Sequence, residues 1–148
     1  MLQKEGGVPS MLPLCYWILA LIHSALGDLE NAEDCAEEAV KLAKEYNVKS
    51  YEGTAWITLG SVMGKADPTQ IDVAEKHILH GISMLEELKA KAFYAQGYLF
   101  WGELFADAGQ MDKAIENLKK AEAMYQEMKV TPKSHWLIRT QEALGRLQ

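Results

Sequence analysis

The sequence is poor in the residues that cross-linked or metal-held folds depend on. It has two cysteines, Cys15 and Cys35, and no C-x-x-C spacing. That argues against a disulfide or zinc framework and fits a reduced, cytoplasmic protein. It has no excess of positive charge. Fifteen Lys and Arg stand against 21 Asp and Glu, a formal net charge of −6, and the lysines are interleaved with glutamates. A nucleic-acid partner would need a clustered basic face, so none is expected. It also lacks a long hydrophobic run. The apolar stretch from Met11 to Ile22 falls short of the roughly 20 residues a membrane-spanning helix needs. The N-terminus, MLQKEGGVPSMLPLCYWILALIHSALG, imitates a secretion signal. Pro9 and Ser10 interrupt it early, and Gly27-Asp28-Leu29 lead straight into a further helix, so it is read as part of the fold.

What is present is repetition. The 148 residues, 49% apolar and 24% charged, suit one domain with a real core. Gly27-Asp28-Leu29-Glu30-Asn31-Ala32 is echoed by Gly109-Gln110-Met111-Asp112-Lys113-Ala114. A weaker copy lies between them, with Ala74, Ile78 and Gly81 at the corresponding places. In the first copy Ala32, Ala36, Ala39 and Ala43 form a row along one helix face. Such a row lets a neighbouring helix approach closely, and alanine is the best helix former. Upstream of each copy, YWILALIHSALG, WITLGSVMGKAD and YLFWGELFADAG align without gaps. Each begins with an aromatic (Tyr16, Trp56, Tyr98), then a large residue (Leu19, Leu59, Trp101) followed by a small one (Ala20, Gly60, Gly102).

These units resemble the tetratricopeptide repeat, whose members pair two antiparallel helices, the first carrying a large-small pair and the second alanines. The resemblance covers three units, about 11–46, 51–88 and 91–128. It implies an all-α fold: a right-handed α–α superhelix of three helix pairs plus a C-terminal capping helix at 132–147. The lead alanines, 32, 74 and 114, are 42 and 40 residues apart, longer than the family's 34. His23 stands where the family favours Tyr, and Gly81 replaces an alanine. The longer period is similar to the C-terminal repeat arrays of large bacterial signalling proteins, such as repeat-bearing nucleotide cyclases and ATPase regulators. On that likeness the chain is read as one domain, residues 1–148, of a larger protein.

Helices are expected at about 11–26, 29–46, 51–65, 68–88, 91–108, 111–128 and 132–147. Asp28 can cap the second. Asp67-Pro68-Thr69-Gln70 and Thr131-Pro132 read as cap-and-proline starts. In the last helix Trp136, Leu137, Thr140, Ala143, Leu144 and Leu147 form one stripe, with Lys133, Arg139, Gln141 and Arg146 facing water. The break near Lys89–Lys91 has no Gly or Pro to mark it. Stacking should bury Leu19, Leu59 and Trp101 in the space left by small residues, Trp101 beside Gly102 and Ala121.

Chemistry is sparse. GSVMGKA (60–66) misses the phosphate-loop spacing by one residue, has Ala66 in place of the hydroxyl, and follows a helix. His77 and His80, with Glu75 near, supply two imidazoles but no third ligand, and read as solvated positions on an outer face. His23 and His135 are lone, and the cysteines read as small apolar packers. No nucleophile comes with a base and an orienting group, so no catalytic residue, metal or cofactor is expected. Any enzyme activity would lie in a linked domain, for example a nucleotide cyclase.

The resemblance places a concave groove on the first helices. Carried over, its candidates are Leu14, Trp17, Leu21 and Ser24, then Thr54, Ile57, Ser61 and Lys65, then Gln96, Leu99, Glu103 and Asp107. The clamp with which some relatives hold a chaperone carboxylate would fall on Trp17, Leu21, Thr58, Gln96 and Phe100, and is missing. Function is therefore read as a protein-interaction scaffold in an intracellular signalling protein. The alternative is a ligand- or peptide-sensing domain with a closed pocket near Trp17, Ile57 and Leu99. The first helix is apolar nearly all round, so Leu14, Trp17, Ile18 and Leu21 cannot all face their own alanine row. Self-association, a missing repeat or a folded-back N-terminus is expected to cover part of it.

Overall fold

The computed structural model describes residues 11–131 and 133–148. Seven α-helices follow one another among these residues: α1 (Leu12–Ala25), α2 (Leu29–Glu45), α3 (Lys49–Ala66), α4 (Ile71–Glu87), α5 (Lys91–Asp107), α6 (Met111–Glu127) and α7 (His135–Leu147). They pack as adjacent antiparallel pairs, α1 with α2, α3 with α4 and α5 with α6, and α7 closes on α6. The stacked pairs make an α–α superhelix of the kind that the sequence implies.

The alanine rows are the seams. Ala32, Ala36, Ala39 and Ala43 of α2 are fully buried, as are Ala74 of α4 and Ala114 and Ala121 of α6. Gly81 departs from the alanine pattern for a physical reason. A Cβ there would press on the Gly53 carbonyl and stand 2.7 Å from Ile57 Cγ1, so α3 and α4 cross too closely for any side chain.

The first helices of the inner pairs, α3 and α5, lie between two second helices and are buried nearly all round. Their large residues turn toward the preceding pair. Leu59 packs with Ala36, Ala39 and Val40 of α2. Trp101 is only half-buried, its Nε1 donating to Glu75 Oε2 of α4 at 2.8 Å. This corrects the expected core position beside Gly102 and Ala121. Leu118 fills that space instead, its Cγ lying 2.7 Å from where a Gly102 Cβ would be. Leu19, the equivalent in α1, is exposed, as is Cys15, so neither is the packing residue the sequence suggested.

Helix ends were partly legible. Asp28 caps α2, accepting from the Asn31 backbone N–H at 3.3 Å. Asp67 accepts from the Thr69 N–H at 3.0 Å but opens a 3₁₀ turn, Pro68–Gln70, and α4 starts only at Ile71. Pro132 lies outside the described residues. Thr131 Oγ1 accepts from the Lys133 N–H at 3.2 Å, and α7 begins at His135 rather than 132. The expected stripe of α7 is buried or half-buried, but Arg139 turns inward rather than to water. The idea of a folded-back extreme N-terminus falls on residues outside those described.

The unmarked break at 88–90 closes on a residue in the left-handed region. Asn47, Lys89 and Lys129, each two residues past the end of a second helix, have φ of 58°, 57° and 57°. In each case the next residue's N–H reaches back to a carbonyl of the last turn, as Ala90 N–H does to Leu85 at 3.0 Å. A non-glycine residue is strained there. Lys89→Gly is therefore expected to stabilise the fold by about 1 kcal/mol. Urea denaturation measures it, and an unchanged or lowered midpoint would contradict the assigned turn.

Candidate functional site

Between α1, α3, α5 and the start of α7 lies an open hollow of about 480 Å³. Leu21, Ile22, Val62, Phe100 and Trp136 make it apolar, and Thr58 and Ser61 give its floor hydroxyls. Lys65 and Arg139 stand at one end, where the hollow runs into a smaller cleft lined by Glu103, Asp107, Ala143 and Arg146.

Of the expected groove residues, Leu21, Ser24, Ser61 and Lys65 meet in the hollow. Glu103 and Asp107 line the adjoining cleft with Lys65. Trp17 is half-buried, and its indole is fixed: Nε1 donates to Thr58 Oγ1 at 2.9 Å and the ring meets Phe93 edge-on at 6.4 Å. Leu14 is half-buried at the other end of α1. Ile57 and Leu99 are core residues with no exposed surface, and Thr54 and Gln96 are also buried. Sandwiching of α3 and α5 removes those four from the groove, so the sensing pocket imagined around Trp17, Ile57 and Leu99 is packed solid. The floor belongs to the neighbouring positions, Thr58, Val62 and Phe100.

The sequence reading missed the contribution of α7. Arg139 forms a two-pronged pair with Glu103, Nε to Oε2 at 2.9 Å and Nη2 to Oε1 at 2.8 Å. Its guanidinium lies 5.0 Å from the Phe100 ring centre and 5.7 Å from that of Trp136. The carboxylate of Glu103 therefore neutralises Arg139. Lys65 has no such partner: among the described residues it makes no ion pair. Burial lowers its pKa, with Glu103 and Asp107 only partly offsetting this. Burial likewise raises the pKa of Asp107. Two buried polar atoms, Gln96 Nε2 of α5 and the Tyr125 hydroxyl of α6, have no hydrogen-bond partner among the described residues. Burial pushes the Tyr125 hydroxyl well above the ordinary tyrosine range.

His77 and His80 are not simply solvated. Both lie against Trp56, with ring centres 4.9 and 5.3 Å away, and Lys44 covers the same ring at 5.1 Å. Burial, with His80 adding to it, lowers the pKa of His77. Glu75 is occupied by Trp101. No group of three or more His, Cys, Asp or Glu among the described residues is placed to hold a metal ion, and no described helix is long and apolar enough to cross a membrane.

Comparison with known proteins agrees with this geometry. Residues 14–46, which span α1 and α2, match the tetratricopeptide repeat family. No curated protein matches the chain. Among solved structures a similar one is that of BtubC (BKLC) from P. vanneervenii, with 20% sequence identity and a TM-score of 0.69. The match covers 93% of this chain and 55% of that one, so the chain spans about half the length of that relative. At this identity the likeness is one of fold. Repeats of this kind generally mediate protein–protein interaction, and the first helix pair of this chain is similar to them.

Proposed function

We propose that the chain is a peptide-recognition scaffold whose ligand enters the hollow between α1, α3, α5 and α7. One observation carries the reading: an open hollow of about 480 Å³ with a mixed apolar and polar lining, bounded by a partly desolvated lysine that makes no ion pair among the described residues. A peptide with one large apolar side chain followed by a carboxylate fits it. The apolar group would lie against Leu21 and Trp136, and the carboxylate would pair with Lys65, which makes no ion pair among the described residues. The long repeat period supports placing this scaffold in a larger intracellular signalling protein, which would carry any catalytic output.

The test is selection of binders from a displayed random-peptide library, followed by titration against variants. Selected peptides should pair an apolar residue with an acidic one. Trp136→Ala and Lys65→Gln should each weaken them at least about tenfold, the loss of one anchor worth roughly 1.4 kcal/mol. Binding that neither variant changes would place the ligand elsewhere.

A further inference from the structure

The helices α1, α3, α5 and α7 occupy equivalent places in the stack, and their residues can be compared position by position. Ala55 of α3 has no exposed surface and packs on Ala36 and Ala39 of α2. At the same place in α5, Gly97 lies so close to α4 that a Cβ would stand 2.5 Å from Ile82 Cγ1. Leu137 of α7 is 5% exposed, within the cluster that holds Met124 and Tyr125 of α6. In every case the cover is the second helix of the preceding pair. The corresponding residue of α1, Cys15, is exposed.

A second row repeats the contrast at α3 alone: Leu59 is 6% exposed and Leu19 is 41% exposed, while Trp101 of α5 is half-buried and Gln141 of α7 is exposed. A third row repeats it throughout. Val62, Leu104 and Leu144 are 1%, 6% and 5% exposed, whereas Ile22 is 49% exposed. Leu104 reaches this burial against Gly64, so this row meets the first helix of the preceding pair. The face of α1 that carries Cys15, Leu19 and Ile22 thus corresponds to the face that α3 buries along all three rows and α5 and α7 along two, and in α1 these residues are exposed.

We propose that this face of α1 is a docking surface for a further helix pair, stacked ahead of α1 as the α1–α2 pair is stacked ahead of α3. The occupant is an amphipathic helix with small residues one turn apart, as in α2, together with its partner helix. The argument for that occupant is continuity with the three interfaces already formed. Of those three, the template is the α2–α3 interface, because Cys15, like Ala55, is small and calls for a small-residue row opposite it, whereas Gly97 is met by Ile82 and Leu137 by Met124 and Tyr125.

A tandem chain tests this directly. Residues 9–48 are repeated ahead of residue 9, so that Leu19 occurs once on an outer face and once at an inner junction. Leu19→Glu is then made at either copy, with Leu19→Ala as the milder variant should the first fail to fold. At the inner copy the Tm should fall by at least ~5 °C, and at the outer copy, as in the unduplicated chain, by less than ~2 °C. Equal small shifts would show that the face docks no helix pair. A large shift in the unduplicated chain would show that the face is already covered. Sedimentation of the unduplicated chain as a dimer that Leu19→Glu dissociates would make the occupant a second copy. Each of those three results overturns the proposal.

Discussion

Truncating Ile57 to alanine is expected to cost the fold about 2–5 kcal/mol, the range for a buried aliphatic cut back to a methyl group. The family pattern turns this position toward the ligand groove, yet the side chain is a wedge between three helices. Its Cγ1 lies 2.7 Å from where a Gly81 Cβ would be, and its Cδ1 3.0 Å from where a Gly97 Cβ would be. Two glycines, on α4 and α5, leave the room it fills. Neither neighbour has side-chain atoms there that could collapse into the cavity, which places the cost toward the upper end. Urea denaturation followed by circular dichroism measures the change. A loss below about 1 kcal/mol would return Ile57 to the surface and reopen the groove assignment.

The second large effect lies at the same crossing. Gly81→Val should destabilise the chain by about 3 kcal/mol or more, at the top of the overpacking range. The new Cβ would meet the Gly53 carbonyl and the Ile57 backbone nitrogen, the latter at 3.1 Å. Backbone atoms within a helix cannot rotate aside, so α3 and α4 would have to separate along their whole contact. Gly145 supplies the control. It lies within α7 with nothing inside 4 Å of its absent Cβ, so Gly145→Ala should stabilise by about 0.5–1 kcal/mol. Equal behaviour of the two glycines would mean that the helix crossing is drawn wrongly.

The fold was legible because its signals are local and periodic. The alanine rows, the large-small pairs and the capping Asp28 lie within one or two turns of what they contact. The αL turns were hidden because Lys89 and Lys129 are poor residues for that backbone, held there by the packing of the helices they join. The lining of the hollow was partly legible. Ser61 and Lys65 line it where the family register puts them, whereas Ile57 and Leu99 are core, because burial on both sides of α3 and α5 erases the polar face that would have oriented them. Arg139 was missed because an arginine on an amphipathic helix reads as solvated unless its partner is known. That partner, Glu103, is 36 residues away. His77 was misread for the same reason, since Trp56 comes to it from another helix and half-buries it, while His80 stays exposed.

The sandwiching of the first helices also has a consequence for synthesis. A chain made from its N-terminus completes α3 before any residue of α4 exists. At that moment α3 has α2 on one side, and its surface around Gly53, Ile57 and Gly60 awaits α4 on the other. The same happens again at α5. Each nascent unit therefore passes through a stage with one apolar helix half covered, and about 20 residues must still emerge before it closes. Short inter-helix turns keep that interval as brief as the repeat allows, whereas an insertion at Pro68–Gln70 would lengthen it.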